Sequence, residues 1–327
     1  MHGRVRIGIS GWRYAPWRGV FYPEALAQRH ELAYAARVFS SIEINGSFYS
    51  LQHPASWARW YAATPAGFEF AVKGPRFITH MKRLNEVRRP LANFLASGLF
   101  HLREKLGPVL WQFPRNFTFR PALFEEFFAL LPYDTEAALR LARARDARMY
   151  GRSVLRIDAR RPLRHAIEIR HESFRDPAFI ALLRRFGIAL VVSDTPQRWP
   201  RLEDVTADFL YLRLHGAREL YRSGYGRTAL MRWAERIQAW RAGAEPADAV
   251  RASGEAPRAL AARDVYCYFD NTDDKLRAPE DARALARRLG ASPGEASPAD
   301  AVVLPVVAGA APERVVRRVD EDRVDRT

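Results

Sequence analysis

Phe209-Leu210-Tyr211-Leu212-Arg213-Leu214-His215 is a short apolar run that turns polar at its end. A run of this length, stopped by charge, reads as a buried strand. Seven more lie between Val5 and Phe269. Their endings are Ser10-Gly11-Trp12, Glu43-Ile44-Asn45, Lys73, Gln112, Glu168-Ile169-Arg170-His171, Ser193-Asp194 and Asp270-Asn271. A closed barrel of parallel strands gathers eight such endings on one face, where the active sites of such barrels lie.

The segments between the runs agree with that architecture. Strands are expected at residues 5–10, 41–45, 68–73, 109–113, 166–170, 188–193, 209–214 and 265–269. Helical spacing appears at 23–39, 54–61, 89–106, around Leu123, Phe124, Phe127, Phe128 and Leu131, and at 177–186, 228–242 and 279–289. Strands alternating with helices argue for a parallel sheet with helices outside. Eight strands favour closure, and no Gly-x-Gly-x-x-Gly follows any of them. The reading is an α/β fold, a (β/α)8 TIM barrel in a single domain over residues 1–290. An Ala- and Arg-rich insertion at 133–164 precedes the fifth strand, and residues 291–327 form a tail without periodicity. The Pro-broken connection from Asp194 to Phe209 is too short for a full helix.

Composition narrows the function classes. The chain has 327 residues, 48% of them hydrophobic, which suits one barrel of about 250 residues with additions. No stretch approaches the roughly 18 apolar residues of a membrane span, and the start lacks a signal-peptide pattern, so a cytoplasmic protein without a membrane partner is expected. One cysteine, Cys267 in an aromatic run, excludes an internal disulfide framework. The 52 basic against 37 acidic residues give +15, a charge that suits nucleic acid or another polyanion. Only four of the 52 are lysine, however, so compositional bias toward Arg explains the charge as readily. Composition leaves the oligomeric state open.

Residues two apart in a strand share a face, so Glu43 with Asn45, Glu168 with Arg170, and Arg213 with His215 are same-side pairs about 7 Å apart along the strand. The candidate catalytic residues are Glu43, Glu168, His171, His215 and Asp194, carboxylates and imidazoles suited to acid–base work or to a divalent metal. The candidate substrate-binding residues are Trp12, Asn45, Tyr49, Lys73, Gln112, Arg170, Arg213, Asp270 and Asn271. The guanidinium fork of Arg170 or Arg213 matches phosphate or carboxylate, so the mouth suits an anionic substrate. Buried acids in barrels also pair with buried Arg simply to satisfy one another, and Glu168 with Arg213 is one candidate pair. No His-x-His, His-Glu-x-x-His, calcium loop, nucleophile elbow, P-loop or nucleotide-cofactor motif is present.

The words Ile7-Gly-Ile-Ser-Gly-Trp12, Phe21-Tyr22-Pro23, Ile42-Glu-Ile-Asn45 with Phe48-Tyr49, Ile78-Thr-His80, Lys105-Leu-Gly107, Gln112-Phe-Pro114, Glu168-Ile-Arg-His171, Arg213-Leu-His-Gly216 and Phe269-Asp-Asn271 occur in this order. Together they resemble the YecE-like family called domain of unknown function 72, from about residue 5 to 289. The resemblance implies a TIM barrel of unestablished activity. It also implies that Glu43, Asn45, Lys73, Glu168, Arg170, His171, Arg213, His215 and Asn271 belong to a shared pocket. Family members usually carry two asparagines after the eighth strand, and here the first is Asp270. By architecture alone the chain is similar to the endonuclease IV and sugar isomerase barrels, whose sites hold more His and carboxylate ligands.

Three functions follow as expectations. The first is an enzyme, hydrolase or phosphodiesterase in kind, acting at the mouth on an anionic substrate, with phosphate-containing small molecules among the options. The second is a nucleic-acid-binding protein without chemistry, using the arginines of the insertion and the mouth. The third is a non-catalytic scaffold.

Overall fold

The computed structural model describes residues 3–196, 198–220, 223–271 and 277–291. The tail expected beyond residue 290 lies outside the described residues, except for Ala291. Eight strands, β1 (Val5–Ser10), β2 (Ser41–Ile44), β3 (Glu69–Lys73), β4 (Leu106–Gln112), β5 (His165–Glu168), β6 (Ala189–Asp194), β7 (Phe209–Leu214) and β8 (Asp264–Phe269), close in chain order into one barrel. Every neighbouring pair is parallel, including β1 with β8.

The helices are α1 (Glu31–Val38), α2 (Gly46–Tyr49), α3 (Pro54–Ala62), α4 (Arg88–Ala96), α5 (Pro121–Leu130), α6 (Thr135–Ala142), α7 (Pro177–Phe186), α8 (Arg227–Arg241) and α9 (Arg277–Leu289). Local chemistry sets several of their ends. At α7, the Asp176 carboxylate accepts from Ala178 N at 2.8 Å, Pro177 opens the first turn, and Gly187 at φ 64° closes the last.

Two helices are shorter than their periodicity implies. The stretch 89–106 breaks at Gly98, whose φ of 111° no helix accommodates, and a 3-10 segment, Leu99–Lys105, follows. A Cβ on Gly98 would lie 2.6 Å from the Trp57 ring, so glycine is needed there for closeness as well. The first helix starts at Glu31 rather than near Pro23, after a 3-10 turn over Gln28–His30. Within the insertion, α6 packs on α4, and no helix spans the described residues between β6 and β7.

Two apolar layers result. The larger lies between the strands and the outer helices, and it includes the buried Cys267. The smaller fills the lumen with Ala71, Leu110, Ala166, Ala189, Val191, Phe209, Tyr211, Tyr266 and Tyr268. These residues fix the inward parity of β3 to β8. The N-terminal end of the lumen is closed by ions: Arg6 and the Tyr266 hydroxyl both donate to Glu69, while Arg164 bridges Asp264 at 2.8 Å and Asp208 at 2.7 Å.

Candidate functional site

Moving one inward position toward the C-terminal end of each strand gives Ser10, Glu43, Lys73, Gln112, Glu168, Ser193, Arg213 and Asp270. Each stands in one of the eight polar endings, and each is buried. The strand alternation that buries tyrosine and alanine one step below places these groups in the mouth.

Arg213 organises the layer. Its Nε and Nη2 donate to Glu43 at 3.1 and 3.0 Å, Nη1 donates to Glu168 at 2.6 Å, and Nη2 donates to Asp270 at 3.0 Å. Glu43 also accepts from Ser10 Oγ at 2.8 Å and from the Tyr211 hydroxyl at 2.6 Å. The second oxygen of Glu168 accepts from Arg170 Nε at 3.0 Å. His215 places Nδ1 3.1 Å from Asp270 Oδ2. The Lys73 ammonium lies 4.3 Å from the Phe48 ring centroid.

Charge compensation makes this burial tolerable, because isolated carboxylates could not remain ionised here. Burial pushes the Glu168 carboxyl upward, but Arg213, Arg170, His215 and Lys73 together outweigh it and hold the group at about 2. Glu168 is therefore a fixed anion at neutral pH and a feeble proton acceptor. For Tyr211 the two effects add: burial, then the charge on Glu43, raises the phenol well above its ordinary value, so it stays a neutral donor.

Of the residues expected at the site, Glu43, Lys73, Gln112, Glu168, Arg170, Arg213, His215 and Asp270 share the mouth. Asn45 is at the N-terminal end of α2, with Oδ1 buried and without a partner among the described residues. Several others are placed differently. Asp194 follows the inward Ser193 and faces outward, where Trp233 Nε1 donates to it at 3.3 Å and the Tyr225 hydroxyl bonds to it. Asn271 follows the inward Asp270 and donates to Asp281 at 2.8 Å and to the Ser223 carbonyl at 3.1 Å.

Trp12 packs edge-on against Trp60 of α3. His171 uses Nδ1 to accept from Ser173 N at 3.1 Å, capping the 3-10 turn Glu172–Phe174. Tyr49 is half-buried under the Arg76 guanidinium. Among the described residues, no group of three or more His, Cys, Asp or Glu side chains converges as a metal site. The three mouth carboxylates converge on a guanidinium instead.

Sequence reasoning did not single out Tyr211 or Trp199. Tyr211 was legible as the inward residue two before Arg213. Trp199, in the β6–β7 connection, is 5% exposed although no apolar periodicity surrounds it. The Arg170 and Arg115 guanidinium carbons lie 4.3 and 5.2 Å from its ring centroids, and its ring meets His215 edge-on at 5.8 Å. It therefore covers the β5–β7 side of the mouth. A large aromatic stranded in a Pro-broken loop was the available signal.

The family model described as "Protein of unknown function DUF72" matches residues 6–302. Over 115 residues the chain is 29% identical to the UPF0759 protein YunF of Bacillus subtilis (strain 168), a stretch covering 34% of this chain and 40% of that protein. The chain thus spans well under half the length of this curated relative. The crystal structure of a DUF72 family protein from Thermotoga maritima MSB8 is similar, with a TM-score of 0.66 and 24% identity, covering 88% of this chain and 99% of that one. A DUF72 family protein from Enterococcus faecalis V583 is similar at a TM-score of 0.62 and 18% identity, covering 88% and 95%. These likenesses support the barrel fold.

Proposed function

We propose, for a chain that belongs to the DUF72 family, that the C-terminal mouth is the active site of a hydrolase-like enzyme acting on an anionic, phosphate-containing small molecule. The observation that carries this reading is the contact of His215 Nδ1 with Asp270 at 3.1 Å, in a layer where Arg213 also holds Asp270. A carboxylate beside one ring nitrogen orients the imidazole. The other nitrogen is then the one that exchanges a proton with substrate. Glu168 serves as a fixed anion that sets the field, and Glu43 holds the other side of the Arg213 guanidinium. Lys73 and Arg170 supply the positive charge for an anionic group.

A buried ionic layer of this size also supports a functional reading on energetic grounds. Well-packed apolar side chains of similar volume would stabilise a barrel at least as well. The nucleic-acid reading is less well supported. The insertion enters β5 at the barrel's N-terminal end, opposite the mouth. Several of its arginines are paired: Arg148 with Asp146, Arg160 with Asp134, Arg161 with Asp158, and Arg164 with Asp208 and Asp264.

The test is turnover of a panel of phosphomonoesters, phosphodiesters and neutral esters by the full chain and by His215→Gln. Loss of at least a hundred-fold in kcat for a phosphoester, with an unchanged melting temperature, is expected. Equal turnover by His215→Gln, or turnover confined to neutral esters, would remove the proposal.

A further inference from the structure

The buried side-chain atoms with no hydrogen-bond partner among the described residues include four on the β4–β7 side of the mouth: Gln112 Oε1, Ser193 Oγ, Thr195 Oγ1 and Trp199 Nε1. All four residues are more than nine-tenths buried. Buried polar atoms are nearly always satisfied, so several together point to a bound polar group.

They occupy one sector. Gln112 is the register neighbour of Glu168, and Ser193 is the register neighbour of Arg213. Thr195 is two residues beyond Ser193. Trp199 covers Arg170 and His215. The sector therefore runs from the end of β4 to the end of β7, with the indole over it.

The chemistry is directional. Indole N–H can only donate, and both hydroxyls can donate, while the neighbouring Arg170 and Arg115 are cationic. Three donors among cations suit an acceptor-rich anion. Gln112 Oε1 suits a hydroxyl on the rest of such a molecule.

We infer that Ser193, Thr195 and Trp199 hold the tetrahedral oxyanion of the ligand, a phosphoryl group, with the Trp199 indole N–H as one of its donors. The inference rests on the proposed function for the site's location and ligand class, and it adds the place of the phosphoryl group and three residues that hold it. Arg213 has no part in gripping the anion, because its guanidinium is engaged by Glu43, Glu168 and Asp270.

Calorimetric titration of the full chain with inorganic phosphate, glycerol 3-phosphate and glycerol tests it. Trp199→Phe keeps a ring against Arg170 and removes the donor. Thr195→Val and Ser193→Ala remove the hydroxyls. Arg232→Gln, on the exposed outer face of α8, is the control.

Phosphate and glycerol 3-phosphate should bind at one site, and glycerol should not. Each mouth variant should weaken phosphate about five-fold at unchanged melting temperature, and the control should not. Unchanged phosphate affinity in both Trp199→Phe and Thr195→Val would overturn the inference, as would absent phosphate binding or equal binding of glycerol. Phosphate affinity that depends on Trp199 while His215→Gln retains full turnover supports this inference and removes the acid–base reading. Lost turnover in His215→Gln with no phosphate binding does the reverse.

Discussion

Arg213 Nη1 donates to Glu168 Oε2 at 2.6 Å across the barrel mouth, and neither side chain has exposed surface. The same guanidinium reaches Glu43 and Asp270, so one cation holds three carboxylates in place. Removing it should be worse than removing any one acid. Arg213→Met is expected to lose about 3–5 kcal/mol at pH 7, as buried pairs do when one partner is deleted. The loss should shrink toward pH 4, where Glu168, no longer held low by Arg213, takes up its proton. Urea unfolding at both pH values reads this directly, and an equal loss at both would contradict the network.

Glu168 gives the fold an acid limit. Its folded value of about 2 lies below the ordinary 4.5. Its contribution is therefore present above pH 4.5 and is lost as pH falls through that range toward 2. Glu168→Gln should be less stable than the parent at pH 6, and the gap should narrow as pH falls from 4.5. A gap that is constant with pH would show that packing alone is responsible.

His165 acts at higher pH and for a different reason. Burial lowers its value to about 4, and it is held neutral: Trp111 Nε1 donates to its Nδ1 at 3.2 Å, while its Nε2 bonds to the Pro132 carbonyl at 2.7 Å. The unfolded chain binds this proton near 6.5, so stability should fall as pH drops from 6.5 to 4. His165→Gln should flatten that part of the profile. Thermal melts at half-unit steps would show it, and an unchanged slope would refute it.

Asp281 has the opposite sign. Burial raises it to about 6 although Asn271 and the Tyr225 amide both donate to it. Stability from its protonated form is complete below pH 3.8 and is lost as pH rises through 6. Asp281→Asn should match the parent near pH 4 and exceed it at pH 8, by on the order of 1–2 kcal/mol. An identical profile would mean the carboxyl is well solvated.

Gly8 lies where β1 and β2 meet, and a Cβ there would fall 1.9 Å from the Ser41 carbonyl oxygen. Gly8→Ala should therefore destabilise by about 3 kcal/mol or more, because the obstacle is backbone and cannot rotate away. Gly187→Ala, with open space around its Cβ but a φ of 64°, should lose only about 1 kcal/mol. Denaturant midpoints of the two variants should rank in that order.

The eight strands and their polar endings were legible because apolar runs, stop signals and helix periods are local in the chain. Which member of each ending faces the lumen was harder to read. Leu190-Val191-Val192 and its counterparts are apolar on both faces, as strands of a covered parallel sheet are, so the alternation leaves no trace in the sequence. For that reason Asp194 and Asn271 read as site residues, although barrel parity turns both outward.

By itself, the sequence determined the barrel and the polar chemistry of its mouth, since each strand's composition is written in consecutive residues. Only the tertiary structure decided that Arg213 meets Glu43, 170 positions away, or that Trp199 covers His215. Those contacts cross the lumen or descend from a loop. They depend on closure and side-chain direction, which consecutive residues do not encode.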